Sequence, residues 1–566
     1  MPLKRAGTYA LPLVFLLGGA LLAQAMAGRA WSRFVHYHTP FAFAAEHAPA
    51  AGPPLVDRVL VVLVDGLTRQ ASQQMPYLAT LRARGADLEG RAGQPSLSLP
   101  GRGVILSGAW CEIHGQTTNF DPRPLPVEHL FQLAQVHGRR TALAAGPSSH
   151  RLVAPYVTVP LVFTREDELP DMAALEAAHA RRVEAAARLL REAHADLAMV
   201  ELVITDEAGH GWGAASPQYA RAVERADAGL RQLTEGIDLS RTVVLVTADH
   251  GHVARGGHGG GEPEVLALPV VLAGGPVRAG AHGRCAQVDL APTLALLLGL
   301  PLPASSQGRP LLEHLALDPA AEQAARMAHA VQRQRFADRY AAWLEGVAVP
   351  PALAVLDADA NGRLAEAEAR QEEAASARLA RDRRGRLPAA VLLFLALPLV
   401  LVAARAAGIA DGDLAVALLA AGGGLAAYHA LFPLLGLGYS FSLVNKDEEL
   451  GFFFRKDMVL AVACLAAALA AAATWRRLRG AGPAGLGLLS LLVATGFTGL
   501  LWMRIGLVHA FQGVFAEWRL PDVPWAFAFY LDVLAALAVG FAAPALAGRA
   551  ALGAHLAARR SARMVG

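Results

Sequence analysis

Cysteine is scarce. Three residues in a 566-residue chain cannot staple a disulfide framework, although Cys111 and Cys285 are free to pair in an oxidising compartment, while Cys464 lies in an apolar run. Charge is sparse too, at 17% of residues, and 51 basic against 48 acidic side chains leave a net +3. That balance excludes a dedicated nucleic-acid binder, and no nucleic-acid partner is expected. With 54% hydrophobic residues, disorder and a purely soluble chain are both excluded, and the length rules out a single small binding module.

What is abundant is clustered. One apolar run covers 9–27, after Lys4 and Arg5, and five more cover 387–404, 414–432, 458–475, 485–503 and 525–547. Each is near the roughly 20 residues that cross a bilayer. The first run is read as a retained anchor, with a cleaved signal peptide the alternative because of Ala25-Met26-Ala27. The expected organisation is an anchor or signal at 1–30, a catalytic α/β domain at 55–315, a helical connector at 316–386, a five-span bundle at 387–550 and a cytoplasmic tail at 551–566.

Short-loop basic residues set the orientation. A cytoplasmic N-terminus puts Arg405, the cluster Arg476, Arg477 and Arg479, and the tail arginines inside, and leaves the large insert outside. Arg378, Arg381, Arg383, Arg384 and Arg386 stand against this, although a long translocated domain weakens the rule. The Ala- and Arg-heavy composition looks bacterial, so the expected location is the inner membrane with the insert on the periplasmic side.

Residues 55–315 alternate short β-branched runs with amphipathic stretches, the pattern of a doubly wound α/β sheet with helices on both faces. Three runs end in metal-type ligands. Residues 59–64 lead into Asp65, residues 197–205 into Asp206 with His210 four on, and residues 242–247 through Ala248 into Asp249 and His250. His258 follows in a Gly-Gly-His-Gly-Gly loop. Singly, each Asp reads as a cap or turn; together, at strand ends that share one crevice, the Asp and His mixture suits zinc.

These motifs, in this order, resemble the alkaline phosphatase superfamily, and within it type I phosphodiesterases, nucleotide pyrophosphatases and GPI ethanolamine phosphate transferases. The resemblance covers about residues 55–312 and includes the segment from Gln287 to Thr293. It implies two zinc ions, with manganese an open alternative: Asp206, His210 and His258 would hold one, and Asp65, Asp249 and His250 the other. It also implies that Ser98 is the nucleophile and a ligand, with Ser96 the fallback, and that Asn119 donates to a phosphoryl oxygen. The activity implied is cleavage or transfer of a phosphodiester through a phosphoserine, on a lipid-linked, glycan-linked or small substrate, with membrane lipids as further partners. The eukaryotic transferases have more spans, so the carry-over stops at phosphoryl chemistry. The alternatives are a sulfatase, because Ser98-Leu-Pro100-Gly-Arg102 also resembles that family's pattern, a phosphatase, or a non-catalytic membrane scaffold.

Two further features stand apart. Asp357, Asp359, Asn361, Arg363 and Glu368 have EF-hand spacing with Gly362 at the sixth position, so a calcium ion in the connector is weighed against an Asx-Gly turn between helices. Asp532 lies within the last apolar run and Arg504 at the outer end of the one before, and the two are expected to pair, with His429 a packing residue.

Overall fold

The structure is a computed structural model and describes residues 2–41, 50, 52–164, 171–350, 359–480, 482 and 485–565. Among the described residues eight strands form one sheet: β1 (Arg58–Val64), β2 (Gly85–Arg91), β3 (Thr141–Ala145), β4 (Val159–Val162), β5 (Leu197–Leu202), β6 (Thr242–Thr247), β7 (Ala267–Ala273) and β8 (Ala281–Ala286). Their order is β4-β3-β5-β1-β6-β7-β2-β8. The inner strands β5 and β6 are buried along their whole length, as sequences such as Thr-Val-Val-Leu-Val-Thr demand of a sheet covered on both faces. Along β1, Val59, Val61 and Leu63 pack into one apolar layer and Leu60, Val62 and Val64 into the other.

The sheet is not wholly parallel: β7 runs against both β6 and β2. The cause is local. The segment after β6 carries site residues at the carboxyl end and returns the chain at that same end, so the next strand must run back. A second difference concerns β5, which ends at Leu202 rather than running to 205. The helix Ile204–Trp212 takes over and puts Asp206 in its first turn with His210 one turn later on the same face. Val64 stands opposite Leu202 and Leu63 opposite Thr247. The chain therefore leaves β1, β5 and β6 at one level, side by side.

Among the described residues six helices are long and apolar enough to cross a membrane. They lie in Pro2–Val35, Ala360–Ala406, Asp411–Leu434, Leu450–Leu478, Leu486–Gln512 and Val523–Val565, and each takes up one expected run. The apolar window of Leu486–Gln512 is 83% buried against 28% for the N-terminal helix, so the former is the inner member and the latter shows its apolar side outward. The connector helix Pro319–Glu345 packs along Ala360–Ala406, which continues without a break into the second expected run despite Pro388 and Pro398.

The described part of the EF-hand-like stretch is helical. Asp359 caps Ala360–Ala406, accepting from Gly362 N at 3.0 Å, and Asn361, Arg363 and Glu368 lie within the helix; Asp357 is outside the described residues. Cys111 and Cys285 are buried and free, one in the short helix Cys111–His114 and the other on edge strand β8. Arg504 pairs with Asp532 at 3.1 Å, as expected, and also reaches His429 Nε2 at 2.9 Å and Tyr439 OH at 3.1 Å, so His429 is more than a packing residue. Asp457 lies buried in Leu450–Leu478 and accepts from Tyr428 OH at 2.5 Å.

Candidate active site

Three sets of donor atoms converge beyond the carboxyl ends of β1, β5 and β6, each within 4.8 Å: Asp65, Asp249 and His250; Asp206, His210 and His258; and Asp206, His250 and His252. The six ligands expected from sequence are thus together. His252 is an addition. It follows His250 by two positions, just past the Asp-His-Gly pattern, and is fully buried with Nε2 3.0 Å from Asp206 Oδ1. Two glycines make room for it, since a Cβ on Gly66 or Gly209 would stand 2.5 or 2.8 Å from His252 Nε2.

The hydrogen bonds fix what these histidines present. His250 Nδ1 faces Gly251 O at 3.1 Å, His258 Nδ1 faces Ser96 O at 3.1 Å, and His252 Nδ1 faces Gly256 O. A carbonyl only accepts, so each Nδ1 carries the proton. His210 Nδ1 faces Asn445 Oδ1 at 3.1 Å, and the Asn445 amide is oriented by its own donation to His210 O at 2.8 Å. Burial holds His250 and His258 below the usual imidazole range and so keeps them neutral, and the like charge of the neighbouring histidines adds to it. The bare Nε2 atoms of neutral His250 and His258 therefore point inward, and His210 and His252 turn their Nε2 atoms to the same space, His258 Nε2 lying only 3.2 Å from His210 Nε2.

The carboxylates tell the same story. Arg102, fully enclosed, pairs with Asp65 Oδ2, approaches Asp249 Oδ2 at 3.2 Å and Glu201 Oε1 at 3.3 Å, and donates to Ser149 Oγ at 2.9 Å. Burial opposes its charge, but Asp65, Glu201 and Asp249 outweigh it and raise the guanidinium further. Asp65 Oδ1 is left buried without a hydrogen-bond partner. Burial pushes this carboxyl well above the usual range by more than Arg102 pulls it down, as befits a carboxylate short of positive charge. Burial also works against ionised Asp206, but His210 and His252 hold it well below that range. Converging imidazole nitrogens and an orphaned carboxylate oxygen suit divalent cations of the zinc type. Neither Arg102 nor Glu201 was singled out as a site residue from sequence: the one was read only within a sulfatase-like pattern, the other sits inside an apolar strand.

Ser98 opens the helix Ser98–Ser107, all ten residues of which are buried. Its Oγ lies 3.2 Å from His250 Nε2 and accepts from Asn119 Nδ2 at 3.4 Å, while Asn119 Oδ1 accepts from Leu99 N at 2.9 Å. At this helix end Leu99 N is taken by Asn119, Pro100 has no N–H and Gly101 N donates to Leu97 O at 2.9 Å, so what it offers an anion is the positive end of the helix dipole. Ser96 is engaged elsewhere, donating to Gly260 O at 2.7 Å and accepting from Gly259 N at 3.1 Å.

A cavity of about 590 Å³ opens over these groups, lined by Ser98, Asn119, His210 and His258 on one side and by Phe34, Phe441 and Lys446 of the membrane-side elements on the other. Through Phe34 and Phe441 it adjoins an apolar groove bordered by Trp31, Phe454, Phe527 and Tyr530.

Residues 59–256 match the type I phosphodiesterase / nucleotide pyrophosphatase family model. The catalytic subunit of human GPI ethanolamine phosphate transferase 2 is 23% identical over 306 residues, covering 49% of this chain and 30% of that protein. GPI ethanolamine phosphate transferase 1 of Emericella nidulans is 24% identical over 268 residues, 39% of this chain and 28% of that one. The 2,3-bisphosphoglycerate-independent phosphoglycerate mutase of Cereibacter sphaeroides is 36% identical over 126 residues, 21% of this chain and 24% of that one. The chain thus spans less than a third of the length of each of these curated relatives. Among solved structures, murine ectonucleotide pyrophosphatase / phosphodiesterase 5 aligns at 14% identity and TM-score 0.36 over 43% of this chain and 96% of its own. A 2-O GAG sulfatase aligns at 16% and 0.38, over 46% and 74%. Within this chain, the stretch 59–256, about a third of its length, is similar to the type I phosphodiesterase / nucleotide pyrophosphatase family.

Proposed function

We propose that the protein is a membrane-bound enzyme that cleaves a phosphodiester through a phosphoserine on Ser98, with the intermediate resolved by water or by a second alcohol. The observation that carries this reading is the set of inward imidazole nitrogens and carboxylate oxygens around Ser98 Oγ, 3.2 Å from His250 Nε2. Asp65, Asp249 and His250, with Ser98, would hold one cation, and Asp206, His210 and His258 the other. Bound there, divalent cations such as zinc or manganese lower the pKa of the Ser98 hydroxyl and neutralise non-bridging phosphoryl oxygens.

The chain's own groups do the rest. Arg102 fixes Asp65 so that Oδ1 faces the site. The N-terminus of Ser98–Ser107 attracts the anionic phosphoryl group, and Asn119, braced by Leu99 N, presents its amide to an oxygen that gains charge as Ser98 attacks. The leaving alcohol departs into the cavity, and the acceptor enters from there.

The cavity lies between the α/β unit and the bundle, and the adjoining aromatic groove suits an acyl chain beside a polar headgroup. Both support a lipid-linked diester as substrate. The loop 435–449 meets the site at one end of the bundle, whereas Arg476, Arg477 and Arg479 close the helix Leu450–Leu478 at the other. By the basic-residue rule this supports an extracytoplasmic site on a bacterial inner membrane. Part of the dissenting arginine cluster is occupied by protein groups: Arg381 donates to Leu344 O at 2.6 Å, Arg383 to Phe511 O at 3.2 Å, and Arg378 pairs with Asp382 at 3.0 Å.

Hydrolysis of bis-p-nitrophenyl phosphate, p-nitrophenyl phosphate and p-nitrophenyl sulfate by the zinc-loaded protein tests the reading. Preference for the diester is expected. Preference for the sulfate would replace it with the sulfatase reading, in which the set Asp206, His210 and His258 has no evident task.

A further inference from the structure

The connection 435–449, between the helices Asp411–Leu434 and Leu450–Leu478, leaves the bundle and grips the candidate metal centre. Asn445 Nδ2 donates to His210 O at 2.8 Å, which fixes the amide so that Oδ1 meets His210 Nδ1 at 3.1 Å. That second bond requires the proton on Nδ1 and leaves Nε2 bare and aimed at the donor set. A few residues earlier, the hydroxyls of Ser440 and Ser442 each donate to one oxygen of Glu262, both at 2.6 Å, and Ser442 Oγ accepts from Gly260 N at 3.0 Å. Gly260 and Glu262 belong to the segment that carries His258. The fit excludes side chains: a Cβ on Gly257 would stand 2.1 Å from Ser442 O, and one on Gly256 would stand 2.9 Å from Asn445 Oδ1.

His210 and His258 belong to one donor set, completed by Asp206. The other set is braced differently. Asp65 is held by Arg102, Asp249 by Gly66 N and His250 N, and His250 by Gly251 O, all within the α/β unit.

Resting on the two-cation reading above, we propose that Asn445 is a positioning residue for one cation only. The membrane loop completes the Asp206, His210 and His258 site and leaves the Asp65, Asp249 and His250 site independent of the bundle. The spans then do more than anchor: the seating of one of their loops sets whether the second cation stays bound.

The test uses the full-length protein in detergent, loaded with zinc, dialysed against buffers of graded free zinc and measured for zinc per chain. The unsubstituted protein should retain two zinc ions. Asn445→Leu should retain one and release the other at about 10- to 100-fold higher free zinc, the usual cost of losing such an outer partner. Asn445→Asp, which keeps an acceptor for Nδ1 but loses the donation to His210 O, should restore part of the difference. Ser442→Ala, which loosens the loop at His258 instead, should repeat the selective loss should Asn445→Leu fold poorly. Two zinc ions held with unchanged affinity in both Asn445→Leu and Ser442→Ala, or joint loss of both ions, would overturn the inference. An unsubstituted protein without zinc would instead overturn the two-cation reading on which it rests.

Discussion

His258 Nε2 and His210 Nε2 face each other at 3.2 Å, and each ring turns its Nδ1 to an acceptor, Ser96 O for the one and Asn445 Oδ1 for the other. Two lone pairs at that distance repel unless a positive charge lies between or beside them. In the two-cation reading proposed above, the cation of the Asp206, His210 and His258 set supplies that charge.

The two serines of the nucleophile segment separate the chemistry from its support. Ser98→Ala should abolish turnover of a diester while zinc content stays at the unsubstituted level. Ser96→Ala removes two hydrogen bonds to the loop carrying His258, worth about 1 kcal/mol each, and should weaken zinc retention while the covalent step survives. Phosphopeptide mapping after brief exposure to substrate should find the modification on Ser98; ordinary rates from Ser98→Ala would remove the covalent mechanism.

His252 has its Nε2 on Asp206 and its ring in the space that Gly66 and Gly209 leave open. Whether as a ligand or as the partner that orients Asp206, it should matter to metal binding. His252→Ala is expected to lower zinc affinity by about 10- to 100-fold in an equilibrium titration. Unchanged affinity would reduce the residue to packing.

Among the described residues, Arg102 is the lone basic group paired with Asp65, Asp249 and Glu201 beneath the site, apart from the histidines. Arg102→Met strands buried carboxylates and should cost about 3–5 kcal/mol in the metal-free protein, read as a lower thermal midpoint of unfolding in detergent. Adding Glu201→Gln should return part of the loss. A double variant less stable than the single one would show that Arg102 is not there to balance charge.

Within the bundle, Arg504→Met leaves Asp532 buried without its cation, at a similar cost of about 3–5 kcal/mol, and Arg504→Met with Asp532→Leu should recover most of it. Thermal unfolding of the two variants decides the matter; equal stability of both would make the pair incidental.

What the sequence revealed and what it hid have physical reasons. Asp65, Asp249 and His250 were legible because strand ends of an α/β sheet share one crevice, so residues far apart in the chain could be placed together. Asp206 and His210 were legible by residue type, but the short helix that puts both on one face was hidden by an apolar run that continues past β5. His252 was passed over because nothing in its spacing sets it apart from a core histidine. Glu201 was hidden because a single acid in an apolar strand carries no signal of what it faces. Asn445 stands 235 positions from His210 and in the membrane region, and only the folded arrangement brings it to the site. The reversal of β7 likewise depends on where the loop after β6 returns, which periodicity does not record.

The central claim is that two cations sit beside Ser98. Elemental analysis of the full-length protein, purified without chelator and in parallel with Ser98→Ala, tests it most directly. The account predicts about two zinc or manganese ions per chain in both proteins, released together with activity by a strong chelator. A protein that holds no divalent ion and still cleaves the diester would contradict it.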